Sequence, residues 1–456
     1  DIQMVRRLYR ESEFYSIFIR LAIPIAAQNL VSSSLNLIDT VMVGRLGETE
    51  LAATGIGNQI FLLLVLFLLG ACGGGAIYTA QFWGKKDKAN IKRILGLVLI
   101  ISISAALLTF AGALIFPEQI ISFFSKDTQV IYYGGKYLFA VSFSYVFFAI
   151  SSAYGAVIRS TGEVKAPMYI NIAAIAINTF LNYCLIYGNF GFPAYGVVGA
   201  AIATVIARFI EAVSLVSFVY IKKHAVAGKL NELFSFSRKL VNDFSKTTSA
   251  LVAKDMIWGI GMTIYMGIYA RMGTDVVAAM NIYSTIRQVT FVAFIGMANA
   301  CLVMVGNLIG AGDEVKAYKF AKKFLKLSFI AGIIIGLFLF IGTDLMLLPY
   351  KVSSEVLANS RGIIHVYAAG MSIIGFNMVA VVGVLRSGGD TMYCLIMDTV
   401  AVYIIGLPLA YLFGLSLEMS VTVVMIAVTS QEIFKFILLY YRYRSKKWIN
   451  NLVHRL

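Results

Sequence analysis

Apolar residues in this chain run in long, nearly unbroken blocks, and the polar residues collect where the blocks end. The blocks lie at roughly 16–43, 53–81, 94–116, 133–157, 166–188, 195–221, 247–269, 277–308, 324–348, 361–385, 392–414 and 418–441. About 20 apolar residues in a helix cross the ~30 Å of a bilayer's hydrocarbon, and each block reaches that length. The pattern therefore predicts an all-α integral membrane protein with twelve transmembrane helices. Several blocks exceed the minimum, which predicts tilt or extension beyond the bilayer. Pro24 and Pro408 fall inside blocks and are candidate kinks. Gly70, Gly73, Gly74 and Gly75 in the second block permit close helix approach.

The two halves repeat. Residues 42–56, MVGRLGETELAATGI, align with 268–282, IYARMGTDVVAAMNI, at an offset of 226, pairing Arg45 with Arg271, Gly47 with Gly273 and Ala53 with Ala279. Gly84 and Gly310 share that offset, and VIRSTGE at 157–163 matches VLRSGGD at 384–390 one residue further on. An even number of spans per repeat leaves both copies in the same orientation. The expected architecture is two parallel six-helix lobes related by pseudo-two-fold symmetry about the membrane normal, with a cavity between them. The expected division is 1–221 as N-lobe, 222–246 as cytoplasmic linker and 247–456 as C-lobe with a basic tail.

Composition agrees and then narrows the reading. The 456 residues are 59% hydrophobic and 13% charged, far from a soluble domain. The net charge of +15 would suggest a nucleic-acid partner in a soluble protein, but its placement points elsewhere. Most of the Lys and Arg lie in the N-terminal arm, around 85–93, at Arg159 and Lys165, in 222–246, in 316–326, at Arg386 and in the tail. Only Arg45, Lys126, Lys136, Arg271, Lys351 and Arg361 lie in the alternate loops. The positive-inside rule then puts both termini in the cytoplasm. The first span is too long for a signal peptide and is expected to stay in the mature chain. Cys72, Cys184, Cys301 and Cys394 sit singly in apolar runs, and His224, His365 and His454 form no cluster, so no metal or haem centre is expected. The chain has no GxxxxGK[ST], no nucleophile elbow and no HExxH. An ATP-driven pump and an enzyme are both disfavoured, and a channel lacks a filter-like segment.

An ionisable group inside hydrocarbon costs roughly 2.5–3.5 kcal/mol on insertion scales and needs a reason. Asp39 lies in the first span with Asn29, Ser32, Ser33, Asn36 and Thr40 on one helical face. The fifth span carries Asn171, Asn178 and Asn182 at the same spacing, and Thr204 lies at similar depth in the sixth. A carboxylate, two amides and a hydroxyl form a hard-oxygen set suited to Na⁺, centred on Asp39, Asn178 and Asn182, or to a protonatable acid. Interhelical hydrogen bonding is the plainer alternative. Asp255 and Asp398 are candidate cavity carboxylates for a cationic substrate, with pairing to Lys254 as the alternative for Asp255. Asn281, Ser284, Thr285 and Gln288 form a one-sided polar stripe beside Arg287, and Asn281, Gln288 and Asn171 join the candidate substrate cavity. Glu211, Arg208, Glu432 and Lys435 read as groups near cytoplasmic helix ends, explained by snorkelling and local pairing. The 17 Met and 32 Phe would suit an adaptable apolar cavity, although most are expected to face lipid or core.

Three blocks carry a family likeness: PIAAQNLVSSSLNLIDTVMVGRLGETELAATGIG from Pro24, GAGDEVKAYKFAKK from Gly310 and VLRSGGDT from Val384. Together they resemble the multidrug and toxic compound extrusion (MATE) family of prokaryotes, over nearly the whole chain. The resemblance implies a plasma-membrane antiporter exporting bulky, often cationic drugs or toxic organic compounds in exchange for Na⁺ or H⁺, without a cofactor and as a monomer in the lipid bilayer. It matches Asp39, Asn178 and the position of Asn182, where many relatives carry an aspartate. This chain has one acid fewer there, which weakens a strong Na⁺ site. Asp255 only approximates the glutamate common in the family's seventh helix. A lipid-linked saccharide flippase of the same superfamily is the alternative; a cavity cluster of Arg20, Arg208 and Arg287 would mark it.

Overall fold

The fold is given by a computed structural model that describes residues 13–454, except for the side chains of residues 35–37. The first half comprises α1 (Phe14–Gly44), α2 (Glu48–Lys85), α3 (Lys88–Ile115), the short α4 (Pro117–Phe124), α5 (Thr128–Ser142), α6 (Ser144–Ser160), α7 (Lys165–Tyr187) and α8 (Val197–Ile221). A connecting segment holds the one-turn α9 (Leu230–Leu233). The second half comprises α10 (Arg238–Met272), α11 (Thr274–Gly310), α12 (Glu314–Leu347), α13 (Ser354–Leu385), α14 (Thr391–Ser416) and α15 (Val421–Arg444). Among the described residues, eleven helices are long and apolar enough to cross a membrane, and α5 with α6 makes a twelfth that is bent by 45°. The protein is an all-α, multi-pass membrane protein.

The bend has a local cause. Ser142 and Ser144 flank Phe143, and their hydroxyls donate back to the carbonyls of Phe139 and Val141 at 2.7 and 2.6 Å. Such back-bonding competes with the helical ladder and bends it. Helix α14 departs from α-geometry in another way, widening into π-turns at Val400–Gly406 and Leu412–Ser416 on either side of Pro408. Proline lacks the N–H that a regular ladder needs. A third π-segment, Val379–Leu385, closes α13.

The sequence repeat is a structural repeat. Helices α2, α3, α5 and α7 begin at residues 48, 88, 128 and 165, and α11, α12, α13 and α14 begin 226 residues later at 274, 314, 354 and 391. Gly47 and Gly273 precede α2 and α11 with φ of 153° and 146°, a conformation that L side chains rarely adopt. Asp87 and Asp313 cap α3 and α12, accepting from the backbone N–H of Asn90 and Lys316, each at 3.1 Å.

Two compact units result. One is Ala27–Thr248; the other takes Ser249 onward together with α1 up to Ala26. The division therefore cuts α1 just after Pro24 and leaves the linker with the first unit, whereas the sequence reading set the lobe boundaries at 221 and 247. Within the second unit, Phe14 packs edge-on against Phe320 and Phe324 at 5.0 and 5.1 Å, and the backbone of Ala22 lies against Gly296.

In each unit a segment after the last helix folds back over helix ends. In the first, Val226 and Leu233 are buried, Lys92 pairs with Glu232 at 3.0 Å, and the Leu233 carbonyl sits against Gly96. Burial keeps the His224 imidazole below its ordinary pKa of 6.5, hence neutral at pH 7. In the second, Trp448 and Val453 are fully buried, Asn451 donates to the Ile309 carbonyl at 2.9 Å and Asn450 to that of Gly388 at 3.0 Å.

Helices α7 and α8 approach most closely at Gly199, where an added Cβ would lie 2.3 Å from the Leu185 carbonyl. This contact sets the spacing of the polar residues one turn further along. Gly199→Ala is expected to force the pair apart at a cost of ~1–3 kcal/mol. A melting temperature of the purified protein equal to wild type would contradict this packing role.

Candidate functional site

In the first unit, α1, α7 and α8 bring Asp39, Asn178, Asn182 and Thr204 together, as the stripe spacing anticipated. Asn182 Nδ2 donates to Asp39 Oδ1 at 2.9 Å. Asn178 fits best with its amide turned so that Nδ2 donates to Asp39 Oδ2 at 2.8 Å and its carbonyl accepts from the Thr204 backbone N–H at 3.2 Å. Each carboxylate oxygen then receives one amide donor. Both asparagines are buried. One acceptor in this cluster, Asn182 Oδ1, is buried and unpartnered, and the Thr179 hydroxyl lies within hydrogen-bonding reach of the Asp39 carboxylate. An orphaned acceptor beside a carboxylate offers a ligand oxygen to a cation, or a partner to a carboxyl proton. Thr179 escaped the sequence reading, although it lies three residues before Asn182 on the same helical face. Asn36, also a candidate, lies outside the described side chains.

A second polar cluster occupies the same three helices. Ser32 on α1 donates to Asn171 Oδ1 at 3.1 Å, Asn171 Nδ2 on α7 donates to Glu211 Oε1 at 2.8 Å, and Arg208 pairs with Glu211 Oε2 at 2.7 Å. The guanidinium also lies over the Phe148 ring, 4.7 Å from its centroid. The expected local pairing is present as the Arg208–Glu211 i,i+3 pair, but snorkelling at a helix end does not describe the position of Glu211. Glu211 is buried about three turns inside the Ile221 end of α8, and its partners Arg208 and Asn171 are half-buried. Asn171, expected in a substrate cavity, belongs to this cluster.

In the second unit Asp255 and Asp398 meet bases. Lys254 Nζ lies 3.0 Å from Asp255 and 3.4 Å from Asp398. Arg386 reaches Asp255 at 3.4 Å, and Lys435 reaches Asp398 at 3.8 Å and Glu432 at 2.6 Å. Asn377 joins the network by donating to Glu432 at 2.9 Å, while Asp255 Oδ2, Asn377 Oδ1 and Arg386 Nε within it are buried without hydrogen-bond partners. Three acids thus face three bases across α10, α13, α14 and α15, and the group is electrically balanced. The pairing reading of Asp255 with Lys254 is the arrangement observed. Glu432 and Lys435 are its partners in the interior and not snorkelling groups. Asn281, Ser284, Thr285 and Gln288 are all exposed along one face of α11, while Arg287 rests over Phe291 at 5.1 Å.

A family model, MatE, matches residues 24–184 and 254–412, one copy in each half and most of the chain together. The chain belongs to the MatE family of transporters. Relatives of this MatE chain include the uncharacterized transporter YisQ of Bacillus subtilis, 25% identical over 90% of each chain. Another is the probable multidrug resistance protein NorM of Thermotoga maritima, 20% identical over 94% of this chain and 92% of NorM. Among solved structures, a MOP superfamily transporter from Pyrococcus furiosus, described as having a binding pocket of reversed polarity, superposes with a TM-score of 0.87 at 18% identity. It covers 97% of both chains. An outward-facing multidrug resistance MATE transporter gives 0.84 at 18% identity, over 97% of this chain and 98% of that one. At this identity the structures establish the shared two-lobed fold.

For this MatE transporter the balanced network makes a sharp prediction. Lys254→Met removes a base that touches two buried acids, and stranding such charges costs ~3–5 kcal/mol. A large loss of thermal stability is expected, with partial recovery in Lys254→Arg. An unchanged melting temperature in the methionine variant would show that the network does not hold the second unit.

Proposed function

We propose that the chain is a secondary active multidrug efflux antiporter, exporting bulky, often cationic organic compounds in exchange for Na⁺ or H⁺ by alternating access. The observation that carries the reading is the Asp39 cluster: a carboxylate within a membrane span, held by one amide on each oxygen, with the Thr179 hydroxyl in reach and Asn182 Oδ1 buried beside it without a partner. A group placed there without a ligand to bind would cost stability and return nothing. The NorM name of several relatives supports the multidrug class. The basic loops support a plasma-membrane orientation with both termini cytoplasmic. The protein would work as a monomer of two lobes.

Asp39 is the carboxylate that takes the coupling cation, as substrate of the exchange. Asn178 and Asn182 orient the carboxylate by hydrogen bonding to its two oxygens. When the cation arrives, Asn182 Oδ1 and Thr179 Oγ1 supply the remaining oxygens. Contact with the organic substrate falls on the exposed α11 face of Asn281, Ser284, Thr285 and Gln288, because Asp255 and Asp398 already have basic partners and their charge is spent locally. Arg208 is likewise neutralised by Glu211, which removes support from a flippase that needs free cations for a pyrophosphate.

The test is efflux of ethidium from proteoliposomes, with Na⁺ and pH gradients imposed separately. Wild type should respond to at least one gradient, and Asp39→Asn should lose at least tenfold of that response. Retention of gradient-driven export by Asp39→Asn would sink the assignment. Asn182→Asp supplies a second carboxylate, and should lower the Na⁺ concentration for half-maximal exchange at least threefold; an unchanged Na⁺ dependence would remove Asn182 from the site.

A further inference from the structure

We propose that Glu211 is a second carboxylate of the coupling-ion route, taking the cation that leaves Asp39; this rests on the reading of Asp39 given above. The geometry that points to it is a register. Each of three helices gives one residue to the Asp39 cluster and another, seven residues away, to the Glu211 cluster: Asp39 and Ser32 on α1, Asn178 and Asn171 on α7, Thr204 and Glu211 on α8. Seven residues are two helical turns, so each pair shares a face and the layers stand ~10 Å apart. The result is one polar seam with a carboxylate at each layer.

An ion pair serving only to join helices explains this poorly. A buried pair is often matched or bettered by apolar residues of the same volume, and hydrogen bonds between membrane helices do not require an acid. Glu211 is 5% exposed and bonded to more than its counter-ion: Ser32 donates to Asn171, which donates to Glu211, tying the carboxylate to the helix that bears Asp39. The charged groups facing it are Arg208 on its own helix and Arg159 on α6, and Arg208 acts electrostatically on Asp39 as well. A base shared by two acids suits a cation that visits them in turn. For a proton, the O–H bond at Asp39 breaks and one at Glu211 forms; for Na⁺, only the ion moves. Asp39 is left anionic, Glu211 is neutralised and Arg208 turns its charge to Asp39, so total charge is unchanged and no other reactant is required.

The duplicated half provides the contrast. At an offset of 224, Arg208 and Glu211 correspond to Glu432 and Lys435, the same i,i+3 pair with its charges exchanged. At 227, Asn171 corresponds to Asp398, which faces Lys435. There three acids face three bases in contact, with Arg287 acting on Lys435 from further off, whereas the Glu211 layer has one acid with Arg208 in contact, Arg159 acting on it electrostatically, and an amide.

The experiment uses the full chain in proteoliposomes and compares wild type, Asp39→Asn, Glu211→Gln and Glu211→Asp. It measures equilibrium ethidium binding, gradient-driven ethidium efflux, and the inner concentration of the coupling ion that gives half-maximal exchange. Glu211→Gln is expected to bind ethidium within twofold of wild type yet lose at least tenfold of efflux. Glu211→Asp should recover at least half of the efflux, with its half-maximal ion concentration displaced at least threefold. Wild-type efflux in Glu211→Gln overturns the inference, as does a parallel fall of binding and efflux in both variants with no displacement. Should Glu211→Gln not fold, Glu211→Asp decides alone, and an undisplaced ion dependence is the overturning result. If Asp39→Asn exports normally, the antiport reading fails. If Asp39→Asn is inactive and Glu211→Gln is normal, only the role of Glu211 falls.

Discussion

A charge inside hydrocarbon has no water to screen it, and every buried ionisable group in this protein is arranged around that constraint. Its two halves meet the constraint differently. In the second unit, Asp255, Asp398 and Glu432 are matched by Lys254, Arg386 and Lys435, and the group is balanced within itself. In the first, Asp39 has no base in contact among the described residues and is held by neutral groups, with Asn182 Oδ1 left over as a buried acceptor.

This asymmetry sits on a symmetric frame. Glycines at equivalent positions turn the chain before α2 and α11, and equivalent aspartates cap α3 and α12. The backbone repeat therefore survives where it governs turns and caps, which depend on local chemistry alone. The polar interior differs because side chains there answer to partners on other helices. The pair on α8 and its counterpart on α15 keep their spacing while exchanging sign.

Close packing delivers the polar groups to each other. Gly199 lets α8 lie against the α7 backbone at Leu185, which brings Thr204 to Asn178 and Glu211 to Asn171. The segments after α8 and α15 fasten helix ends by burying Val226, Leu233, Trp448 and Val453. These contacts resist the splaying that exposed polar groups would favour, so the two polar layers depend on apolar packing above and below them.

Much of this was legible in the sequence, because hydropathy blocks, the 226-residue repeat and a seven- and eleven-residue polar spacing are local or periodic properties. They specified the all-α membrane fold, the duplication, and Asp39, Asn178, Asn182 and Thr204 as a group. The bend between α5 and α6 was hidden, since it depends on two serine hydroxyls turning back onto their own helix. So were the division of α1 between the two units and the place of the Thr179 hydroxyl beside Asp39. Above all, sequence could pair Glu211 with Arg208 and Lys435 with Glu432 locally, but not with what they meet on other helices. Their partners Asn171 and Asp398 lie 40 and 37 residues away in the chain, on neighbouring helices. Periodicity tells which face of a helix is polar; only tertiary packing decides what that face meets, and in a low-dielectric interior the partner determines what a charge can do.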